Sequence, residues 1–275
     1  MEDDSMFKIY FQTLFYLLHF VFFANPYGYA EDLSGKTICI CEDDAEWPPY
    51  HYLKRENGKK TKEIVGYGID VLNEILNKKG IQYKIQFLPW KRCLHDVAKG
   101  DNYQMALSGS YNLERDKNFY LINWYKTTVY YFFSKKHFPE GVHIKSLSEL
   151  KNYRLCGLLG YNYKYLGELK KKMDKGARNY DVMMEKLHRG RCHVAFEQYE
   201  ILAGFASIGK NYLKDKDLGY AKLPGVPPTW FNIMISKKYA HSYALKKVIS
   251  EGIAELFWSG KYKTMLEKYG LIVAP

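Results

Sequence analysis

The sequence predicts an α/β protein with two sheet-centred halves, and three features carry that prediction. Short apolar runs alternate with stretches of helical period between residues 37 and 110. The alternation starts again after residue 146 and continues to residue 209. A further strand and a long amphipathic helix follow near the carboxyl end. Strand–helix–strand order implies mostly parallel sheets with helices packed on their faces.

Residues 1–30 read as a signal peptide and not as part of the fold. Lys8 precedes the apolar run Ile9 to Ala24, and Gly28-Tyr29-Ala30 supplies the small residues of a cleavage site, with Ala30 the last residue removed. The acidic Glu2-Asp3-Asp4 departs from the usual positive start, and a start at Met6 restores it. A retained anchor is the weaker alternative, because the run is short of the ~20 residues that span a bilayer. Export to the periplasm is the expectation.

The first cycle opens with Thr37 to Cys41, an apolar run halted by Glu42-Asp43-Asp44 and by Pro48-Pro49. Ile69, Leu72, Ile75 and Leu76 recur at helical spacing between Gly66 and Lys79, and Gly80 supplies the stop. Ile81 to Leu88 alternates as a strand does. A short helix after Pro89 runs through Val97, and Tyr103 to Leu107 is a buried strand ending at Ser108-Gly109-Ser110. Val129 to Phe133 is extended.

The second cycle begins with a short capped helix at Ser146 to Glu149. A strand at Tyr153 to Leu159, helices at Tyr163 to Met173 and Asp181 to Arg189, a strand at Val194 to Phe196 and a helix at Ile201 to Ile208 follow. The chain ends with a strand at Phe231 to Ser236, a helix at Tyr243 to Phe257 with Leu245, Ile249 and Leu256 on one stripe, and a short helix at Lys261 to Tyr269. Ligands of open α/β sheets lie beyond the carboxyl ends of the strands, so chemistry is sought there.

Composition narrows the classes of function. Without residues 1–30 the chain keeps 245 residues, 40 basic and 27 acidic, a net charge of +13. The lysines are scattered, as at Lys170-Lys171-Lys172, which describes a solvated face and no nucleic-acid surface. Cys39, Cys41, Cys93, Cys156 and Cys192 make no CxxC pair and no zinc spacing. An oxidising compartment allows one or two disulfides. The reading favours mostly buried free thiols, with a Cys156–Cys192 bridge as the minor alternative. His51, His95, His137, His143, His188, His193 and His241 are scattered singles, so no metal, no cofactor and no catalytic Cys–His or Ser–His pair is expected.

Several motifs then fall in one order: Glu46-Trp47-Pro48-Pro49-Tyr50, Gly66-Tyr67-Gly68-Ile69-Asp70, Pro89-Trp90-Lys91-Arg92, Ser108 to Arg115, Gly190-Arg191, and Ser259-Gly260-Lys261-Tyr262 to Gly270. Each is weak alone, but in this order the chain resembles the extracellular solute-binding proteins of family 3, which serve polar amino acid ABC importers. The resemblance implies a two-lobed periplasmic-binding-protein-like fold of type II, each lobe a mixed, mostly parallel sheet flanked by helices. It implies a discontinuous first lobe at 31–125 plus 230–275, a second lobe at 130–222, and hinge crossings at 126–129 and 223–229. It also implies a monomer that closes on a small ligand and hands it to an inner-membrane permease, with no turnover.

The same resemblance implies the ligand contacts. Arg115, in Ser110-Tyr111-Asn112-Leu113-Glu114-Arg115, matches the arginine that grips a ligand carboxylate, where a guanidinium fork fits two oxygens. Its bland alternative is a surface ion pair with Glu114 or Asp116. Ser110 and Asn112 add hydrogen bonds, although Asn112 stands where the family usually has Thr. Trp47 and Trp90 supply flat apolar walls, with lobe-one core as the alternative for either ring; Tyr50 reads as core. In the second lobe Gly160-Tyr161-Asn162 lies between a strand and a helix, where free N–H groups favour an anion. The acid that pairs a ligand amine maps onto Gln198, or onto Glu197 if the strand is offset by one, and the reading leans to Glu197. Two rivals stay open: a cleft enzyme resembling cyclohexadienyl dehydratases, with a buried Glu197 or Glu46 as general acid, and a sensor that reports its ligand to a membrane receptor.

Overall fold

The computed structural model describes residues 32–271, so the signal-peptide reading of residues 1–30 lies outside the described residues. The first elements are β1 (Thr37–Asp43), the hairpin β2 (Tyr52–Glu56) and β3 (Lys59–Val65), α1 (Tyr67–Leu76), β4 (Gln82–Leu88), α2 (Trp90–Lys99), β5 (Met105–Ser110), α3 (Leu113–Asn118) and β6 (Phe119–Thr127). Next come β7 (Val129–Ser134), β8 (Leu155–Leu158), β9 (Asp174–Ala177), α4 (Tyr180–His188), β10 (Val194–Gln198), α5 (Tyr199–Gly204) and β11 (Leu218–Lys222). The chain closes with β12 (Thr229–Ser236), α6 (Ser242–Trp258) and α7 (Lys261–Lys268).

Two mixed five-stranded sheets result. The first runs β4-β1-β5-β12-β6 and the second β11-β7-β10-β8-β9. In the first, β1 is parallel to β4 and β5, whereas β12 is antiparallel to β5 and β6. In the second, β8 is parallel to β9 and β10, and β7 is antiparallel to β10 and β11. The chain passes between the sheets after β6 and returns before β12.

Local sequence explains the parts that carry the site. β1 buries Ile38 and Ile40 between two parallel neighbours, which sets its carboxyl end, Glu42 and Asp43, at the sheet's edge of action. α1 buries Val71, Leu72, Ile75 and Leu76, the stripe its spacing predicts. It begins at Gly66, whose φ of 130° and 2.4 Å approach to the Tyr50 carbonyl oxygen leave no room for a side chain. α2 buries Trp90, Cys93 and Val97 on one face and stops at Gly100 in the left-handed conformation.

Several expectations are corrected. Two disulfides replace the free thiols: Cys41–Cys93 joins β1 to α2, Cys156–Cys192 joins β8 to the turn before β10, and Cys39 is the free thiol. The helix read over Tyr163 to Met173 is a 3₁₀ segment, Lys164–Lys171, interrupted at Gly167 with φ 54°. The polar β2–β3 hairpin, β6, β9 and β11 lie where no strand was read. No helix among the described residues is long and apolar enough to cross a membrane.

Candidate functional site

A cavity of about 330 Å³ opens between the two sheets. The first-sheet wall is built by the end of β1 (Glu42, Asp43), by Trp47 and His51 after it, by Trp90 opening α2, by Ser108 and Ser110 ending β5, and by Arg115. The second-sheet wall is Tyr161 to Tyr165, following β8, with Phe196, Glu197 and Gln198 ending β10. Both walls therefore gather at strand carboxyl ends, where α/β sheets place ligands.

Arg115 is only 5% exposed, so it is not the surface ion pair of the bland alternative. Its Nη1 donates to the Ser110 carbonyl oxygen at 2.8 Å and lies 3.2 Å from the Ser110 hydroxyl. Among the described residues only Nη1 of the guanidinium is hydrogen-bonded, which leaves Nη2 and Nε for a guest. The Trp90 ring lies 5.7 Å from the guanidinium carbon. Burial lowers the Arg115 pKa to about 10, still far above neutrality, so the group is a cation held in a poorly hydrated place.

Asn112 does not line the cavity. Its side chain caps α3 by accepting the Arg115 backbone N–H at 2.8 Å, so it sets the position of Arg115 instead of touching a ligand. Ser110 sits on the lining, and its hydroxyl receives Asn162 Nδ2 from the opposite wall at 3.0 Å. Asn162 also donates to the Tyr111 carbonyl at 2.9 Å and caps the 3₁₀ segment by accepting the Lys164 N–H at 3.1 Å. The Tyr161 N–H bonds the Leu158 carbonyl. The free N–H groups expected at Gly160-Tyr161-Asn162 are thus partly occupied, and the side chains there act across the cleft.

Trp47 is held rigidly. Its indole N–H donates to the Tyr125 hydroxyl at 2.8 Å, and that hydroxyl donates to Ser108 at 2.9 Å. Tyr125 is itself clamped between Tyr50, 3.7 Å away and stacked, and Phe231 at 5.3 Å. Tyr50 is core, as read. The Trp47 ring meets Tyr161 of the other wall edge-on at 5.6 Å.

At the end of β10, Glu197 and Gln198 both line the cavity. The Gln198 carbonyl accepts the Thr127 hydroxyl at 2.8 Å, at the crossing between sheets. Glu197 is 2% exposed; Oε1 accepts the Gln198 N–H at 2.7 Å, and Oε2 meets no donor in hydrogen-bond geometry among the described residues. Burial, with smaller contributions from Asp43 and Glu200, raises its pKa to about 8. Glu46, the other acid considered, lies on a separate small cavity and is clasped by Arg55 at 2.7 and 2.8 Å and by Lys60 at 2.9 Å. Burial alone would raise its pKa, but those partners outweigh it and hold the group near 2, so it cannot act as an acid at neutral pH.

Among the lining residues that sequence reasoning missed are two acids and a histidine of the first-sheet wall. Asp43 is 6% exposed, and burial raises its pKa to about 7. Glu42 and His51 are fully buried and paired, Oε2 to Nε2, at 2.9 Å, so His51 is not an isolated histidine. Glu42 and Asp43 were visible as an acidic cluster, and the strand-end rule pointed at them.

The fold and cleft define a class, the two-lobed binding proteins that enclose a small solute between paired α/β sheets. The sequence model of the bacterial extracellular solute-binding proteins, family 3, matches residues 40–272, and the chain belongs to that family. Among solved structures, the substrate-binding protein of an amino acid ABC transporter is 22% identical with a TM-score of 0.66, covering 85% of this chain and 98% of its own. AbpA from Streptococcus pneumoniae, solved with L-arginine, is 19% identical with a TM-score of 0.68, covering 86% and 94%. A histidine kinase sensor domain similar to periplasmic binding proteins is 18% identical with a TM-score of 0.69, covering 89% and 100%. No curated protein matches the chain.

Proposed function

We propose that this protein captures a small amino acid, or a related carboxylate, in the periplasm and delivers it to an inner-membrane ABC permease. The observation that carries the reading is one cavity with an open guanidinium, Arg115, on one wall and an open buried carboxyl oxygen, Glu197 Oε2, on the other. A zwitterion presents the complementary pair, a carboxylate for Arg115 and an ammonium for Glu197. Trp47 and Trp90 supply apolar contact for the rest of the ligand. Solved relatives of the same fold include one described as bound to L-arginine.

Lobe 1 is residues 31–125 plus 230–275, lobe 2 is 130–222, and the crossings 126–129 and 223–229 form the hinge. The ligand favours the closed arrangement because it touches both lobes only there. Residues 1–30 direct export, and the mature protein works as a monomer. The test is a thermal-shift screen of amino acids, organic acids and amines on the refolded, ligand-free protein. A cognate ligand at 100 times its Kd adds about 2.7 kcal/mol, whereas a screen in which only compounds lacking a carboxylate raise the melting temperature rejects the reading. Of the two acids weighed for a cleft enzyme, Glu197 and Glu46, Glu197 is the one that is buried with a raised pKa, so each hit is followed by NMR, and turnover reassigns the protein.

A further inference from the structure

We infer that Asp43, Tyr161, Tyr180 and Glu197 form a latch between the lobes that is closed while the two carboxyls carry protons and released as they ionise. The proposal rests on the hinge-closure reading but not on any identity of the ligand.

The geometry runs across the cleft. Asp43 ends β1 in the first sheet, and Tyr161 follows β8 in the second; both line the one cavity, with the Tyr161 hydroxyl close enough to the Asp43 carboxyl to oppose part of the effect of burial on it. The Tyr161 hydroxyl is 3.3 Å from that of Tyr180, at the start of α4. Tyr180 stands near enough to Glu197 to favour its ionised form against the larger effect of burial, though no donor among the described residues meets Oε2 in hydrogen-bond geometry. Two acids thus share one water-poor compartment through a pair of tyrosines. Glu197 can meet the need at Oε2 by carrying its own proton, since a protonated carboxyl is a donor where a carboxylate is not.

The groups around each acid give neither a cationic partner. Asp43 accepts the Ala45 N–H at 3.0 Å, and its charged neighbours Glu42 and Asp44 both oppose ionisation. Glu42 is engaged with His51. Arg115, on the same wall, hydrogen-bonds Ser110. Around Glu197, α5 contributes Glu200, the opposite wall Asp43, and the stretch that opens the 3₁₀ segment Tyr163 and Tyr165. Lys164, from the same segment, is directed over the Tyr111 ring at 4.4 Å.

Burial raises both acids, Asp43 to about 7 and Glu197 to about 8. Opening the cleft returns them to water, where carboxyls ionise near about 4. The closed form therefore binds the extra protons. Its advantage is complete in acid and is lost as pH rises through about 7 and then about 8. With two protons at stake, the closed-to-open ratio falls by at most about 100-fold per pH unit between about 4 and about 7, and by about tenfold per unit from there to about 8.

The test uses the mature, ligand-stripped protein in small-angle X-ray scattering at pH 5.5 and pH 9, with circular dichroism confirming that every sample is folded. The wild type is expected to show a larger radius of gyration at pH 9. Asp43→Asn with Glu197→Gln, neutral at both pH values, is expected to stay compact throughout. A wild type with one radius at both pH values overturns the latch, and so does a double variant that expands as the wild type does. If that double variant fails to fold, Glu197→Gln alone must halve the pH response or the proposal falls. Because no ligand is added, an amino acid screen that finds nothing leaves this measurement intact.

Discussion

Arg115 reaches the cleft through its neighbours. Asn112 caps α3 on the Arg115 N–H, and Ser110 fixes Nη1, so the guanidinium is aimed before any ligand arrives. Such preorganisation means that removing the side chain loses binding without freeing the pocket to compensate. Arg115→Ala is expected to abolish ligand-induced thermal stabilisation, since breaking a buried charge pair costs about 3–5 kcal/mol. Titration calorimetry with the ligand from the screen checks it; an affinity within threefold of the wild type rejects the carboxylate assignment. At this scale it was the family resemblance of Ser110 to Arg115 that pointed to the arginine on the cavity wall, since residue type alone left a surface ion pair open. The sequence reads Asn112 as a ligand contact, because an amide serves a cap and a ligand equally well, and His51 as an isolated histidine, because its partner Glu42 sits nine positions away.

Elements show where periodicity succeeds and where it fails. α1 and α2 were legible because each buries one face, and β1 because both its neighbours cover it. β2 and β3 were not, since Lys59 to Glu63 is largely exposed and gives no apolar alternation to read. The 164–171 segment kept helical composition, but Gly167 in the left-handed region breaks it. Cysteine pairing depends on which elements meet in space, which spacing does not reveal. The Cys41–Cys93 bridge closes a 52-residue separation and ties the strand bearing Asp43 to the helix bearing Trp90. Cys41→Ala with Cys93→Ala is expected to lower stability by about 2–5 kcal/mol, read as a fall in the urea midpoint. A midpoint unchanged under oxidising conditions would show that the bridge does not form.

The whole molecule is governed by how two sheets, joined by two crossings, meet over one cleft. The apparent affinity equals the intrinsic affinity scaled by the closed fraction, so contacts that span the cleft without touching a ligand still set binding. Asn162 spans the cleft from one wall to the other. It donates to Ser110 and Tyr111 of the opposite wall, and its carbonyl is taken by Lys164. Asn162→Ala removes two cross-cleft hydrogen bonds, each contributing about 0.5–1.5 kcal/mol net. Binding should weaken by roughly 5- to 100-fold, chiefly through faster dissociation. Stopped-flow fluorescence of the cleft tryptophans measures both rates. If Asn162 acts through closure, the factor is the same for every ligand the protein accepts. A factor that changes with ligand size or charge would instead make Asn162 a direct contact, and an unchanged dissociation rate would remove it from both roles.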